Sequence, residues 1–335
     1  MPLTLARPRE GVSETVGCTQ RTKSRPRQRF RAQLVVCLEE RALLSTFVAN
    51  SPEPAPPPTS VHARHHETSS AVPWTVVQNV PFPTVDGQSE LLDVYTPRTP
   101  APAGGFPVMI AIHGGGWRRL DKTGFGLRNA NVFTRDGYVV VAPNYVLSAK
   151  GSPSWPVNFE DVQAAVRWVR SNAGTMGFNA NEIVAEGESA GANLAALLGT
   201  YSTQSTGDTV SSAVDAVVAV STPTDLTTLY SESPDAGFAA AQFLGGTPEQ
   251  VPANYIAASP IDHVSPGDPP MLLIHGRQDP LIPVSQSKEM QAALTAAGIR
   301  NELLLVNGGH GLDFPAHFSN LVPDVLEFLS ATWKD

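Results

Sequence analysis

The chain has 335 residues, 41% apolar and 16% charged, a balance that excludes a wholly disordered or fibrous chain and suffices for one large buried core. The formal charge is −8, unevenly placed: residues 1–72 carry ten Lys/Arg against six Asp/Glu, and the rest carry thirteen against twenty-five. An acidic body argues against nucleic acid as substrate, and no apolar run is long enough to span a bilayer.

Residues 1 to about 50 are basic and polar, with Arg25, Arg27, Arg29 and Arg31 ahead of a short apolar patch, Leu34–Leu38. That order hints at an export signal, although Glu39-Glu40-Arg41 interrupts the patch and no adjacent arginine pair marks a twin-arginine route. The piece Leu38-Glu39-Glu40-Arg41-Ala42-Leu43-Leu44-Ser45 resembles a short N-terminal motif of exported planctomycete-type bacterial proteins, so a periplasmic or secreted location is expected, with a disordered basic tail and a cytoplasmic location as the alternative. Both cysteines, Cys18 and Cys37, lie here, which leaves the remainder without a disulfide, a cysteine nucleophile or a Cys-type zinc site. A proline-rich stretch, Pro52–Pro58, reads as an extended linker, and His62, His65 and His66 beside it read as solvated rather than metal-binding. Residues 1–72 are therefore expected to be leader and linker, and 73–335 a catalytic domain.

Beyond residue 73 strands and helices alternate. Thr75–Val80 and Leu91–Tyr95 suggest an antiparallel start; Pro107–Ile112 reads as a buried strand and Tyr138–Ala142 as the next. Asn129–Asp136 reads as the end of a helix, and Phe159–Ser171 places Val162, Ala165, Val166 and Val169 on one helical face. Further strands are expected at Ile183–Ala185, Ala213–Val220, Pro270–His275 and Glu302–Val306, with helices at Val284–Ala297 and Phe318–Trp333. The pattern predicts a mostly parallel sheet with helices on both faces. Residues 226–267 show no clean strand and suggest a small cap between two core strands.

The chemistry concentrates at strand ends. Gly187-Glu188-Ser189-Ala190-Gly191 lies between Ile183-Val184-Ala185 and the helix-forming run from Ala192. A serine in such a strand–turn–helix sits exposed at a strained tip. Upstream, His113-Gly114-Gly115-Gly116-Trp117 follows a strand, and its glycines expose backbone N–H groups that suit charge developing on a carbonyl oxygen. A serine hydroxyl needs a histidine base, and the histidine an acid to hold its tautomer. Downstream, Asp279 follows the strand ending at His275, and His310 ends the next strand between glycines. Asp279 is favoured over Asp262 and Asp268, which precede the strand, and over Asp313. His310 is favoured over His263, His317 and His275, the last standing ahead of the acid in a structural position. His113 shapes the glycine loop. Trp117, Trp155, Phe243 and Tyr255 either line an acyl pocket or pack as core.

These residues resemble an α/β-hydrolase of the carboxylesterase/lipase kind, in the group shared by hormone-sensitive-lipase-like esterases and bacterial lipase/feruloyl esterases. The matching pieces are Leu92–Pro97, the glycine loop from His113, Gly137–Tyr145, Asp161–Val169, the serine pentapeptide, Ser259-Pro260-Ile261, His275–Pro283 and Gly308–Gly311. The resemblance spans roughly residues 75–333. It implies the α/β-hydrolase fold, a Ser189–His310–Asp279 triad, and oxyanion donors from Gly115, Gly116 and Ala190, with no metal or organic cofactor. It further implies a carboxylic ester substrate with a short or aromatic acyl group, carbohydrate esters included. Amide cleavage on the same machinery is the competing reading, and a non-catalytic binding protein a third. Val146 stands where this family commonly carries an arginine.

Overall fold

In the computed structural model, residues 72–84, 87, 89–201, 209–313 and 318–333 are described. The expected leader and linker, apart from Val72, lie outside them. So do the export motif, Cys18, Cys37, His62, His65, His66 and His317.

Eight strands form one sheet: β1 (Trp74–Pro83), β2 (Ser89–Pro97), β3 (Phe106–Ile112), β4 (Val139–Pro143), β5 (Phe178–Glu188), β6 (Ala216–Val220), β7 (Met271–Gly276) and β8 (Asn301–Val306). Their spatial order is β1-β2-β4-β3-β5-β6-β7-β8. The β1–β2 and β2–β4 pairs are antiparallel and all others parallel, the mostly parallel sheet expected. Strands β4, β6 and β7 are buried at every residue. Burial on both faces is why they read as unbroken apolar runs rather than alternating ones.

Side chains alternate between two cores. Val108, Ile110 and Ile112 of β3 join one with α2 (Val157–Met176), α3 (Ala190–Thr200) and α7 (Val284–Ala296). Met109 and Ala111 join the other with α1 (Lys122–Phe133) and α8 (Phe318–Thr332). Helices α1, α2 and α7 each bury one stripe against the sheet, whereas α3 is buried along its whole length. Three short helices, α4 (Leu226–Glu232), α5 (Pro234–Leu244) and α6 (Pro252–Ala257), make the cap between β6 and β7. Asp225 caps α4 by accepting from the Thr227 and Thr228 N–H groups, and Ser233 caps α5 by accepting from Ala236 N–H.

The chain goes from β3 through α1 to β4 on one side, then back through α2 to β5 on the other. Strand order reverses about β3, and in open α/β sheets a crevice opens there, outside the carboxyl ends of the strands.

Candidate active site

Ser189 stands between β5 and α3 with φ 57° and ψ −121°. A non-glycine residue at positive φ costs roughly 1–3 kcal/mol and persists only where its surroundings hold it. They do: Ser189 N–H donates to the Val220 carbonyl at 2.8 Å, and its own carbonyl accepts from Asn193 N–H at 3.0 Å. The turn needs a small residue at Gly191, where a Cβ would overlap the backbone carbonyls of Ile112 and His113. Ala190 opens α3, and first-turn N–H groups of a helix have no intrahelical partner, so this donor is free to meet an anion.

His310 follows β8 and is brought between the two other expected partners. Its Nε2 lies 3.0 Å from Ser189 Oγ and its Nδ1 2.8 Å from Asp279 Oδ2. Asp279 follows β7 and its side chain is wholly buried. Its Oδ1 accepts from the Leu281 and Ile282 N–H groups, both at 2.9 Å. Burial alone would raise its pKa, but hydrogen bonds from His275 and His310, the His310 charge and the Ile282 N–H outweigh it and hold the carboxyl well below the usual carboxylate range. It is therefore an anion throughout the neutral range.

The glycine loop leaves β3 directly above Ser189. Gly115 has φ 109°, and a Cβ there would overlap the Arg119 carbonyl, so only glycine makes this turn. Gly116 follows at φ 61°. His113 is buried, with Nδ1 2.8 Å from the Gly114 carbonyl, and its ring stacks on Tyr145 at 4.3 Å between centroids. Burial lowers its pKa despite that bond, so it remains neutral and shapes the loop, as expected from its place in the sequence. The Tyr145 hydroxyl donates to the His113 carbonyl at 2.7 Å, which explains the tyrosine after β4. Arg118 ties the loop to the cap: its Nη1 donates to Gln242 Oε1 at 2.6 Å and its guanidinium lies 5.5 Å from the Phe238 ring centroid.

Loop, serine and histidine line a cleft of about 830 Å³, closed on the cap side by Ala236, Phe238 and Ala239 of α5. Of the aromatics weighed for a pocket, Trp117 reaches the cleft, while its ring stacks on Phe243 at 4.6 Å. Trp155, Phe243 and Tyr255 pack into the core instead.

The rival residues have other work. His275 is buried between Ser287 Oγ (2.6 Å) and the Ile282 carbonyl (2.9 Å), and its Nε2 lies 3.5 Å from Asp279 Oδ2, beneath the site. His263 bonds the Ala257 carbonyl, Asp268 holds Ser265, and Asp262 is exposed in a short 3-10 turn. The backbone N–H of Val146 donates to buried Asp161 Oδ2 at 2.9 Å. Among the described residues no group of three or more His, Cys, Asp or Glu side chains is arranged to hold a metal ion, and no helix is long and apolar enough to cross a membrane.

Sequence reasoning missed two supports. Ser221, at φ 51° just past β6, accepts through Oγ from Gly311 N–H at 3.2 Å and so fixes the turn of His310. Arg128 of α1 pairs with Glu188, 60 positions later, at 2.8 Å. No local pattern marks either; only the sheet order brings them in.

Sheet topology, serine turn and strand-end histidine together define an α/β-hydrolase. Residues 92–294 match the BD-FAE family, and the chain belongs to it. Two relatives from Mycobacterium tuberculosis, esterase LipQ and esterase LipC, are each 30% identical, over 69% and 68% of this chain. The matched region spans only 56% and 58% of those proteins. Among solved structures, a truncated carbohydrate esterase from gut microbiota has a TM-score of 0.66 and 25% identity, covering 77% of this chain and 98% of its own. Esterase 2 of the planctomycete Thermogutta terrifontis has a TM-score of 0.62 and 25% identity, covering 77% and 94%.

Proposed function

We propose that the protein is a serine carboxylic ester hydrolase acting through an acyl-enzyme. The observation that carries this is the single imidazole of His310 within hydrogen-bond distance of both Ser189 Oγ and Asp279 Oδ2, in a cleft roofed by a glycine loop. Asp279 holds the tautomer with the proton on Nδ1, leaving Nε2 to accept. Ser189 Oγ attacks the ester carbonyl as its proton passes to Nε2, and the Gly115, Gly116 and Ala190 N–H groups receive the oxyanion. Each such donor is worth about 3–4 kcal/mol of barrier. The C–O bond then breaks, His310 gives the proton to the departing alcohol, and water activated by the same nitrogen releases the acid.

The reading extends to short acyl groups. A Cβ built on Gly116 would lie 3.6 Å from the Ala239 methyl, so cap and loop approach closely beside the nucleophile. That close approach supports a short acyl group over a long one. Propionate bound to the Thermogutta esterase and the carbohydrate substrate class of the gut esterase point the same way, toward short acyl esters on sugars. A chain-length series of 4-nitrophenyl esters, run beside an acetylated oligosaccharide, tests the assignment. Rates should peak at two to four acyl carbons and vanish in Ser189→Ala. Equal hydrolysis by that variant, or faster turnover of matched amides than of esters, would overturn it. The basic leader and its export-like motif support a periplasmic or secreted location for this activity.

A further inference from the structure

The residue just before the nucleophile is a glutamate, and the reaction above gives it no task. Glu188 is only 20% exposed although it lines the cleft. One carboxylate oxygen, Oε2, is taken by Arg128 Nη2 at 2.8 Å. Arg128 is itself set by α1, its guanidinium 4.6 Å above the Phe125 ring. The other oxygen, Oε1, lies against Gly311, the residue after His310: a Cβ on Gly311 would overlap it. Gly311 has φ 62°, so the turn is formed around the carboxylate, with its N–H held from the far side by Ser221. The groups facing Glu188 are Arg128 from α1, His310 from its turn, Asp279 from the loop after β7, and Glu186 two residues back on β5. Burial pushes the Glu188 carboxyl up, and Arg128 and then His310 oppose that.

We propose, resting on the ester-hydrolase reading, that Glu188 is a positioning residue for His310. Anchored by Arg128, its carboxylate wedges the His310 turn in place and supplies a second negative charge beside the imidazolium that forms when Ser189 gives up its proton. Asp279 fixes the tautomer through Nδ1; Glu188 acts through space and through the turn. Arg128 has two opposed effects: it orients the carboxylate, and its own positive charge restrains the imidazolium from being over-stabilised. A neutral histidine must be available to accept the proton near neutral pH, so such a balance sets where activity begins on the acid side.

The test is the pH dependence of kcat/KM for 4-nitrophenyl acetate in the wild type, Glu188→Gln, Arg128→Gln and the double variant. Glu188→Gln removes the anion and leaves the guanidinium, so the acid limb should move to lower pH by about half a pH unit or more, and the plateau should fall several-fold with KM within about twofold. The double variant, lacking both charges, should place its limb between wild type and Glu188→Gln. Arg128→Gln should cost several-fold in the wild type and less than about twofold when Glu188 is already glutamine, because it acts through that carboxylate. If Glu188→Gln does not fold, Glu188→Asp, one methylene short of Gly311, should show the lowered plateau and moved limb. A limb unmoved in the Glu188 variant, or equal Arg128 losses in both backgrounds, overturns the proposal. Either result beside a dead Ser189→Ala enzyme removes this inference alone and leaves the ester-hydrolase reading standing.

Discussion

Replacing Asp279 by asparagine changes one oxygen to an amide nitrogen and no volume. The buried surroundings decide which way the amide faces. On one side stand the Leu281 and Ile282 N–H groups, which can only donate, each 2.9 Å from Oδ1. The asparagine oxygen must therefore stay there, and the NH2 turns toward His310 Nδ1, now 2.8 Å from an oxygen. A donor at that place forces Nδ1 to accept. The ring proton moves to Nε2, the atom 3.0 Å from Ser189 Oγ, which then has a proton where it needs a lone pair. Wrong-tautomer imidazole in such a triad lowers kcat about 10⁴-fold, or about 5.5 kcal/mol of barrier. KM should change little, because Asp279 is buried and does not line the cleft. Stopped-flow and steady-state hydrolysis of 4-nitrophenyl butyrate measure both constants, and circular dichroism checks folding. A folded Asp279→Asn enzyme that loses less than about tenfold would refute the tautomer argument and shift the acid to another carboxylate.

Other expectations follow from packing and burial. Gly191→Ala drives a methyl into the Ile112 and His113 carbonyls, so it should destabilise by about 1–3 kcal/mol in urea unfolding and abolish turnover by displacing Ser189; a stable, active variant would contradict the turn geometry. Glu186, buried two positions before Glu188, has its pKa pushed up to about 8, chiefly by burial and against the charge of Arg128. Its folded value exceeds its unfolded one, so its favourable contribution is complete at low pH and is lost as pH rises from about 4.5 to about 8. Glu186→Gln removes the titration. Its stability relative to wild type should therefore grow by about 4 kcal/mol between pH 4.5 and 8.5 in urea unfolding, and a constant difference would rule out the buried protonated carboxyl.

How much of this was readable beforehand depended on burial and locality. Strands β3, β4, β6 and β7 were legible because parallel strands covered on both faces become continuous apolar runs. Strand β5 showed only its central Ile183–Ala185, since its first half carries Asn179, Asn181 and Glu182 and is partly exposed. Helix α1 was seen only at its end, because Gly124 and Gly126 mask its beginning; a Cβ on Gly126 would press on Ala142 and Tyr95, so this glycine buys close helix–sheet packing. The cap helices α4 and α6, at 7 and 6 residues, are too short for a helical period to show. Ser189, Asp279 and His310 were legible because each stands at a strand end marked by glycine or proline. Ser221 and the Arg128–Glu188 pair were not, because their roles arise from distant segments meeting across the sheet.

That Ser189 Oγ carries the acyl group is the expectation on which the other catalytic predictions depend. It is tested most directly by treating the protein with a fluorophosphonate and mapping the adduct by intact-mass and peptide mass spectrometry. One phosphonyl group per chain is expected, on Ser189, with loss of ester hydrolysis in step and labelling greatly slowed in His310→Ala. An adduct on another residue, or full inactivation with Ser189 unmodified, would contradict it.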